Sequence, residues 1–338
     1  VREIEPSDYA RWDEYVRHAP GGTFYHLSGW KSLIEKKLRH KAYYLCCESG
    51  DDIMAVLPLV RVKSWLFGDA LVSVPFLVYG GPVSSSTDAE EAIVTAARNL
   101  SEELGVDYLE LRNKVPLDGE WLSNDLNVTF RKEIDPNPEE NLKFIPRKQR
   151  AMIRKGINAG LKAEIDADTG RLYEALLECK RNLGTPFFGH GWLQAIKDEF
   201  EDEAEITTIT HEGKTVCSVM SFRFCDEILP YYGGGGDIAR DLKGNDFMYW
   251  AVMENACKDG IRVFDYGRSK VGTGAYRFKK HWGFEPEPLH YQYHLVRADS
   301  VPNISPTNPK FDFLVANWRR LPLPVAGLIG PPLARRLA

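Results

Sequence analysis

The residues able to do chemistry gather in the second half of this 338-residue chain. Asp265-Tyr266-Gly267-Arg268 closes a short apolar run, and polar groups at the carboxyl end of a buried strand are commonly placed for catalysis or binding. The same four residues also fit a plainer role, an Asp265–Arg268 ion pair that fixes a loop. Gly233 to Gly236 follows one expected strand, and Gly272-Thr273-Gly274 follows another and precedes a helix. Either could offer backbone N–H groups to a phosphate or carbonyl oxygen. Neither is a G-x-x-x-x-G-K-[ST] loop, and no G-x-S-x-G elbow occurs, which argues against a P-loop kinase and an α/β-hydrolase. Between Lys143 and Lys162 stand seven Lys/Arg and no acid. On a helix, Arg147, Lys148, Arg150, Arg154 and Lys155 share little more than one half. That face is either solvated surface or a seat for a phosphate-bearing substrate such as a nucleotide-sugar, a tRNA or a lipid head group.

Other clusters carry less. Asp198 to Glu205 holds six acids in eight residues but lacks the turn glycine and spacing of a calcium loop, so it reads as a solvated helix end. His290 and His294 share one face of an alternating strand with no third ligand in view, so no metal is expected. His26, His190 and His281 sit inside notable blocks, each with a hydrogen-bonded structural role as the plain reading.

Composition bounds the rest. Hydrophobic residues at 43 % and charged residues at 27 % describe a globular chain with room for two domains, and exclude disorder as the main state. A net charge of −5 excludes a molecule built to coat DNA. The six cysteines at 46, 47, 179, 217, 225 and 257 have neither metal nor redox spacing, so a reducing cytoplasm is expected. The polar start, Val1-Arg-Glu-Ile-Glu-Pro6, carries no signal-peptide pattern. Trp65–Val83 is interrupted by Asp69, Pro75, Gly80, Gly81 and Pro82, and Leu321–Ala334 is too short to span a bilayer.

The elements that must position these groups show an internal repeat. Thr23 to Trp30 aligns with Thr185 to Trp192. Glu48 and Ile53–Leu57 align with Glu212 and Val216–Met220, Tyr79-Gly-Gly with Tyr232-Gly-Gly, and Gly105–Glu110 with Gly260–Asp265. The offsets are 162, 164, 153 and 155. Each copy reads as helix, short Trp-bearing helix, hairpin, strand, long helix and buried strand. The helices are expected at 8–18 and 88–104, then at 171–183 and 245–259. The expected domains are 1–135 and 139–297, parted by the Pro-broken linker Asp135–Pro138, with a Pro-rich basic and apolar tail, 298–338. Strand 127–134 is assigned to the first domain and strand 289–296 to the second. Trp30 should correspond to Trp192, and Glu110 to Asp265. The second copy has extra residues from Arg268 to Phe284, which makes it the better home for the reacting groups.

These blocks carry a family likeness. Asp265-Tyr-Gly-Arg-Ser269, Gly272-Thr-Gly274, Phe278-Lys-x-x-Trp-Gly283 and Arg147-x5-Ile-x-Lys155 resemble the FemAB-like branch of the GNAT acyltransferases, closest to its members associated with exosortase and exopolysaccharide systems. Thr23-Phe-x-His-x-x-x-Trp30, Tyr79-Gly-Gly-Pro82 and the tail from Trp318 fit as well. The resemblance implies an α/β fold of mixed sheets, a tandem duplication of two GNAT-like domains. It also implies transfer of an aminoacyl or acyl group onto an amine. The family's Phe-Lys motif puts a reacting-site lysine at Lys279. Two departures stand out. The coiled-coil insertion of some tRNA-using members is missing, and Ser269 stands where the CoA-pyrophosphate signature has Arg or Gln, with Arg268 one residue away.

An amine attacking an ester or thioester develops a tetrahedral oxyanion that needs a fixed donor, and it must shed a proton. The resulting expectation is a cytoplasmic acyl- or aminoacyl-transferase of envelope or exopolysaccharide biosynthesis, with peripheral contact at the inner face of the membrane open to its tail. Lys279 is the oxyanion or phosphate partner, with Asp265 and Arg268 positioning it. Substrate-binding candidates are Tyr232, Gly233, Gly234, His190, Arg147, Arg154, Gly272, Gly274 and Tyr276. No resident cofactor is expected; the donor is acyl-CoA or aminoacyl-tRNA, and the acceptor a small or lipid-linked envelope precursor. The rival reading is a non-catalytic binding protein for a glycan or nucleotide-sugar. The basic, aromatic tail is expected either to lie on an anionic membrane or to pack against the first domain.

Overall fold

The computed structural model describes residues 1–64, 68–124, 126–301 and 312–337. It has two compact units. Unit 1 opens with β1 (Arg2–Glu3), α1 (Tyr9–His18) and the short α2 (Gly29–Leu33). A hairpin follows, β2 (Lys41–Ser49) with β3 (Asp52–Ser64), then β4 (Gly68–Ser73), β5 (Val83–Ser84), α3 (Thr87–Glu103), β6 (Tyr108–Asn113) and β7 (Leu122–Asn124). α3 begins where Ser86 accepts the Ala89 N–H and buries Ala89, Ile93, Ala97 and Ser101 at helical spacing. It ends before Gly105, whose φ of 57° stops the helix.

Unit 2 repeats the plan. After β8 (Asn127–Thr129) and β9 (Arg131–Glu133) come α4 (Pro138–Phe144), α5 (Arg147–Asn158), β10 (Lys162–Asp166), α6 (Gly170–Leu183) and α7 (His190–Phe200). The sheet strands are β11 (Ala204–His211), β12 (Lys214–Phe224) and β13 (Glu227–Gly235). Then come α8 (Asp237–Asp241), α9 (Gly244–Lys258), β14 (Val263–Asp265), β15 (Ser269–Lys270), α10 (Gly274–His281) and β16 (Glu287–Pro288). β17 (His290–Leu295) belongs to unit 1, and α11 (Asp312–Trp318) and α12 (Leu323–Ala334) to unit 2.

The two main sheets have one topology. In unit 1 the order is β1-β2-β3-β4-β6-β17-β7, and in unit 2 it is β10-β11-β12-β13-β14-β9. In each sheet one parallel pair, β4 with β6 or β13 with β14, stands among antiparallel neighbours. Glu110 pairs with Tyr293 and Asp265 with Arg131 at equivalent rungs, as the repeat requires.

Two expectations are corrected here. The domain boundary at 135/139 moves to 127/128, because each copy's last strand completes the other unit's sheet. Strand 131–133 pairs with β14, and strand 290–295 pairs with β6. A reading by contiguous blocks assigns each strand to the copy that precedes it, whereas the open edge of a sheet takes any strand that satisfies its backbone groups. The Tyr79 and Tyr232 blocks also differ. β13 runs straight through Gly233–Gly235. In unit 1 the strand stops at Ser73, and the chain kinks through Val74 and Phe76, both at positive φ, before Gly80 and Gly81 donate to the Arg112 carbonyl.

Of the two expectations for the tail, packing on the first domain holds for its end, where Arg335 and Arg336 belong to unit 1, but not for the helix before it. Residues 302–311, with Lys310 and Phe311, lie outside the described residues, as does Ala338. α12 packs on α6 of the second unit: Gly327 lies against Tyr173 and Leu177, and Gly330 against the Phe187 backbone. α12 leaves Val325, Leu328, Ile329 and Leu333 exposed. Among the described residues no helix is long and apolar enough to cross a membrane.

The glycine run in β13 allows α6 to approach. A Cβ on Gly234 would stand 2.9 Å from the Cys179 Cβ and 3.0 Å from the Ala175 carbonyl oxygen. Gly234→Ala should therefore destabilise the protein by about 1–3 kcal/mol, read as a lower urea midpoint. Gly274→Ala, where nothing lies within 4 Å of the new methyl, should stay within about 0.5 kcal/mol.

Candidate active site

β13 and β14 are paired only at Glu227–Val263 and Ile228–Phe264, and β13 then continues to Gly235 paired with β12 alone. The parallel strands therefore part at their carboxyl ends, where open α/β sheets collect ligands. Asp265 is the last residue of β14 and is fully buried. Its Oδ1 accepts from the Gly267 N–H at 2.6 Å and from Thr129 Oγ1 at 3.2 Å, while Oδ2 meets Arg131 Nε at 3.2 Å. Gly267 turns the chain at a φ of 67°, a conformation that favours glycine. Arg131 also bridges to Glu227. Arg131, a residue of β9, thus pairs with Asp265 from outside the Asp265–Arg268 block.

The turn is gripped from below by Lys279. Thr273 caps α10 by accepting the Tyr276 N–H, and the helix carries Lys279 and Trp282 inward while Lys280 and His281 stay exposed. Lys279 does not point into an open cleft. It is 9 % exposed, donates to the Gly267 and Arg268 carbonyls at 2.8 and 3.1 Å, and lies 5.7 Å from the Phe130 ring. Burial pulls its pKa down to about 7; Asp265 opposes this and Arg268 adds to it. With two carbonyls as acceptors, the remaining position on Nζ carries a third N–H when charged or a lone pair when neutral. Both forms are accessible near neutral pH.

A second lysine joins this group. Lys180 on α6 has its pKa lowered by burial and by the charge of Arg268. The charge of Arg268 thus lowers both Lys180 and Lys279. Sequence reasoning passed over Lys180, since nothing in a helix 88 residues before Arg268 marks it. It also passed over Asp246 on α9, which accepts from Gln149 Nε2 at 2.8 Å and Trp282 Nε1 at 3.1 Å. Burial pushes the Asp246 carboxyl up. This residue links α5, α9 and the end of α10, and Gly283 lies against Pro146 at the start of α5.

The remaining candidates fall into separate places. Gly272 and Gly274 form an open turn before α10, and Tyr276 packs edge-on against Phe130. Arg147 and Arg154 are exposed on α5, whose inner face buries Gln149, Ile153 and Gly156. Arg147 and Lys148 open that helix with no acid in its first turn, although its N-terminal dipole favours anions there. Tyr232 is buried, its hydroxyl accepting from Trp192 Nε1 at 3.1 Å, with Phe187 and Phe222 against its ring. It joins α7 to β13 and is not an open wall. Gly233 and Gly234 lie within the β12–β13 ladder, where they serve packing. His190 is exposed at the start of α7, 2.9 Å from Thr169 Oγ1 and edge-on to the Tyr173 ring.

The equivalent place in unit 1 is plugged. Arg112 is buried, donates to Glu110 at 2.7 Å and the Leu77 carbonyl at 3.0 Å, and lies over the Tyr291 ring. His26 is likewise structural. Its two nitrogens meet Thr23 Oγ1 and the Gly81 carbonyl, and burial lowers its pKa to about 4.

The burial of Lys279 has a measurable consequence. Its folded pKa of about 7 lies below the free value of 10.5, so the unfolded chain binds the extra proton between those values. Stability should rise with pH across that window and be lost as pH falls toward 7, by up to about 1.4 kcal/mol per unit. Lys279→Met should flatten this slope in urea titrations between pH 7 and 10. An unchanged slope would mean that Nζ is charged throughout.

Comparison with known proteins agrees with this architecture. Residues 147–280 match the family model for the acetyltransferase (GNAT) domain. No curated protein matches the sequence. Among solved structures, FemX is similar with a TM-score of 0.70 at 14 % identity, over 88 % of this chain and 98 % of its own. The C-terminal domain of a putative lysylphosphatidylglycerol synthetase from Agrobacterium fabrum has a TM-score of 0.56 at 13 % identity, over 85 % and 92 %. A tandem GNAT protein from the clavulanic acid biosynthesis pathway has 0.55 at 11 %, over 90 % and 98 %. At these identities the structures establish the tandem GNAT fold.

Proposed function

We propose that this N-acyltransferase, a FemAB-like member of the GNAT class, forms an amide on an amine acceptor of an envelope or exopolysaccharide precursor, with its chemistry in unit 2. The observation that carries this reading is the buried, near-neutral Lys279 at the parted carboxyl ends of β13 and β14, inside the GNAT-matching segment. An acceptor amine attacks the donor's ester or thioester carbonyl. Nitrogen bonds to carbon, the carbonyl pair moves to oxygen, and the alcohol or thiol departs as the oxyanion collapses. Charged Lys279 stabilises that oxyanion, and neutral Lys279 takes the proton the amine sheds. Asp265, through Thr129 and the Gly267 N–H, holds the turn that Lys279 grips. Lys180 and Arg268 favour anionic groups on the donor, and the α5 face with Arg147 and Arg154 suits its phosphates.

The donor is acyl-CoA or an aminoacyl-tRNA. Incubation with each class, followed by mass spectrometry of the acceptor, distinguishes them; no transfer from either would leave the binding-protein reading in place. Lys279→Ala should lower turnover on the order of 10²–10³, measured per folded molecule because the variant also loses the two bonds to the Gly267 and Arg268 carbonyls. Lys280→Ala should be mild, and Lys279→Arg should rescue poorly, because a planar fork cannot take the place of a compact ammonium. Full turnover by folded Lys279→Ala would remove Lys279 from the mechanism.

A lipid-linked acceptor would need the enzyme near a membrane. The exposed Val325, Leu328, Ile329 and Leu333 of α12 support such a contact, with Arg319 and Arg320 just before the helix. Sedimentation with anionic liposomes should fall for Leu328→Glu/Ile329→Glu; binding that this variant leaves unchanged would exclude α12 as the contact.

A further inference from the structure

The geometry points to a second anion site, in unit 1: a cleft that takes a diphosphate-bearing ligand. The cleft has a volume of about 340 Å³ and is lined by Arg39, Lys41, Arg61, Lys63, Arg335 and Arg336, with His40 and Leu38 at its floor. Among the described residues no carboxylate lines it. Asp69, behind the wall, holds Arg61 through two bonds of 2.8 and 2.6 Å and stands 3.9 Å from Lys63. That single charge leaves most of the lining uncompensated. Like charges around one hollow repel each other, and a bound anion relieves them.

Two further features place the backbone that carries these side chains. Arg39 has left-handed backbone, φ 61° and ψ 37°, at the end of the helical turn Ile34–Leu38. Glycine or asparagine usually fills such a position, so an arginine there incurs strain to put its guanidinium at the rim. The chain end is also clamped, since His40 Nε2 donates to the Arg335 carbonyl at 2.6 Å and its ring stacks on Phe76. This brings Arg335 and Arg336 over strands some 300 residues earlier in the sequence. Arginine forks match phosphate oxygens bidentately. The volume exceeds what a single phosphate fills and reaches the lower range of small-ligand sites.

The cleft is separate from the place where unit 1 would do chemistry. Lys41 opens β2 opposite Arg61, and Lys63 faces Asp69 at the start of β4. This is the amino end of the parallel pair β4–β6, opposite the carboxyl end that Arg112 plugs. Burial and the charges of Arg335 and Arg336 lower the pKa of His40, so an anion in the cleft should raise it.

The test is calorimetric titration of the full chain with inorganic pyrophosphate at low salt, with the His40 resonance followed by NMR. The expected result is saturable binding at one site per chain and an upward shift of the His40 pKa. Affinity should fall at least tenfold in Arg335→Gln/Arg336→Gln and in Arg39→Gln. Lys36→Gln/Lys37→Gln removes as much charge from exposed positions outside the lining and should leave affinity unchanged. Absence of saturable binding, or equal losses in the lining and control variants, would overturn the site. Vesicles separate the two sources of such a group. Phosphatidylglycerol vesicles that bind and are displaced by pyrophosphate, with the loss confined to the lining variants, identify a lipid head group. Pyrophosphate binding without vesicle binding identifies a soluble phosphorylated ligand. The site lies outside unit 2, so loss of acyl transfer in Lys279 variants leaves this result untouched.

Discussion

The buried carboxylate of Asp265 is the constraint on which the active-site geometry depends. It gathers the Thr129 hydroxyl, the Arg131 guanidinium and the Gly267 N–H around one charge with no solvent access. A charge so buried is tolerable only when its partners are all present, and removing one leaves a penalty of several kcal/mol. The segment that carries Thr129 at the end of β8 and Arg131 at the start of β9 must therefore lie against β14, with β9 pairing to it. Once it does, the Gly267 turn is set, and its carbonyl offers Lys279 an acceptor. The depressed pKa of Lys279 follows from being drawn inward to that acceptor.

The two copies handle the same rung of their sheets in opposite ways. Glu110 is two residues from Arg112 and pairs with it within one strand, and Arg112 then fills the space beyond the strand end with its own bonds to the Leu77 carbonyl. The kinked segment through Val74 and Phe76 closes over it. In the second copy the acid is one carbon shorter, the strand beside it continues to Gly235 where its glycines admit α6, and Lys279 rather than an arginine lies beyond the strand end. Duplication supplied one frame; side-chain length and strand continuity decided which copy is sealed and which has reactive groups.

Much of the frame was legible in the chain. The helices at 9–18, 87–103, 170–183 and 244–258 follow from apolar spacing and caps. The hairpins follow from alternation and Gly-bearing turns, and the correspondence of Glu110 with Asp265 follows from the ordered repeat. Lys279 and Trp282 share the inner face of α10 because helical geometry leaves no choice once Thr273 caps it. Lys280 is turned outward for the same reason.

What the sequence by itself determined is local: where the backbone turns, which face of each element is apolar, and which short blocks hold groups fit for acyl transfer. Tertiary structure alone decided the partners. Nothing near Asp265 in the chain names Arg131, and nothing near Arg268 names Lys180. The exchange of final strands between the copies was invisible for the same reason. So was the role of Gly234, which reads as a ligand loop until α6 is seen against it. The physical cause is that hydrophobic periodicity records only whether a residue faces inward. Desolvation, ion pairing and close packing depend on what arrives from the other side, and in this chain those arrivals come from residues far away in the sequence.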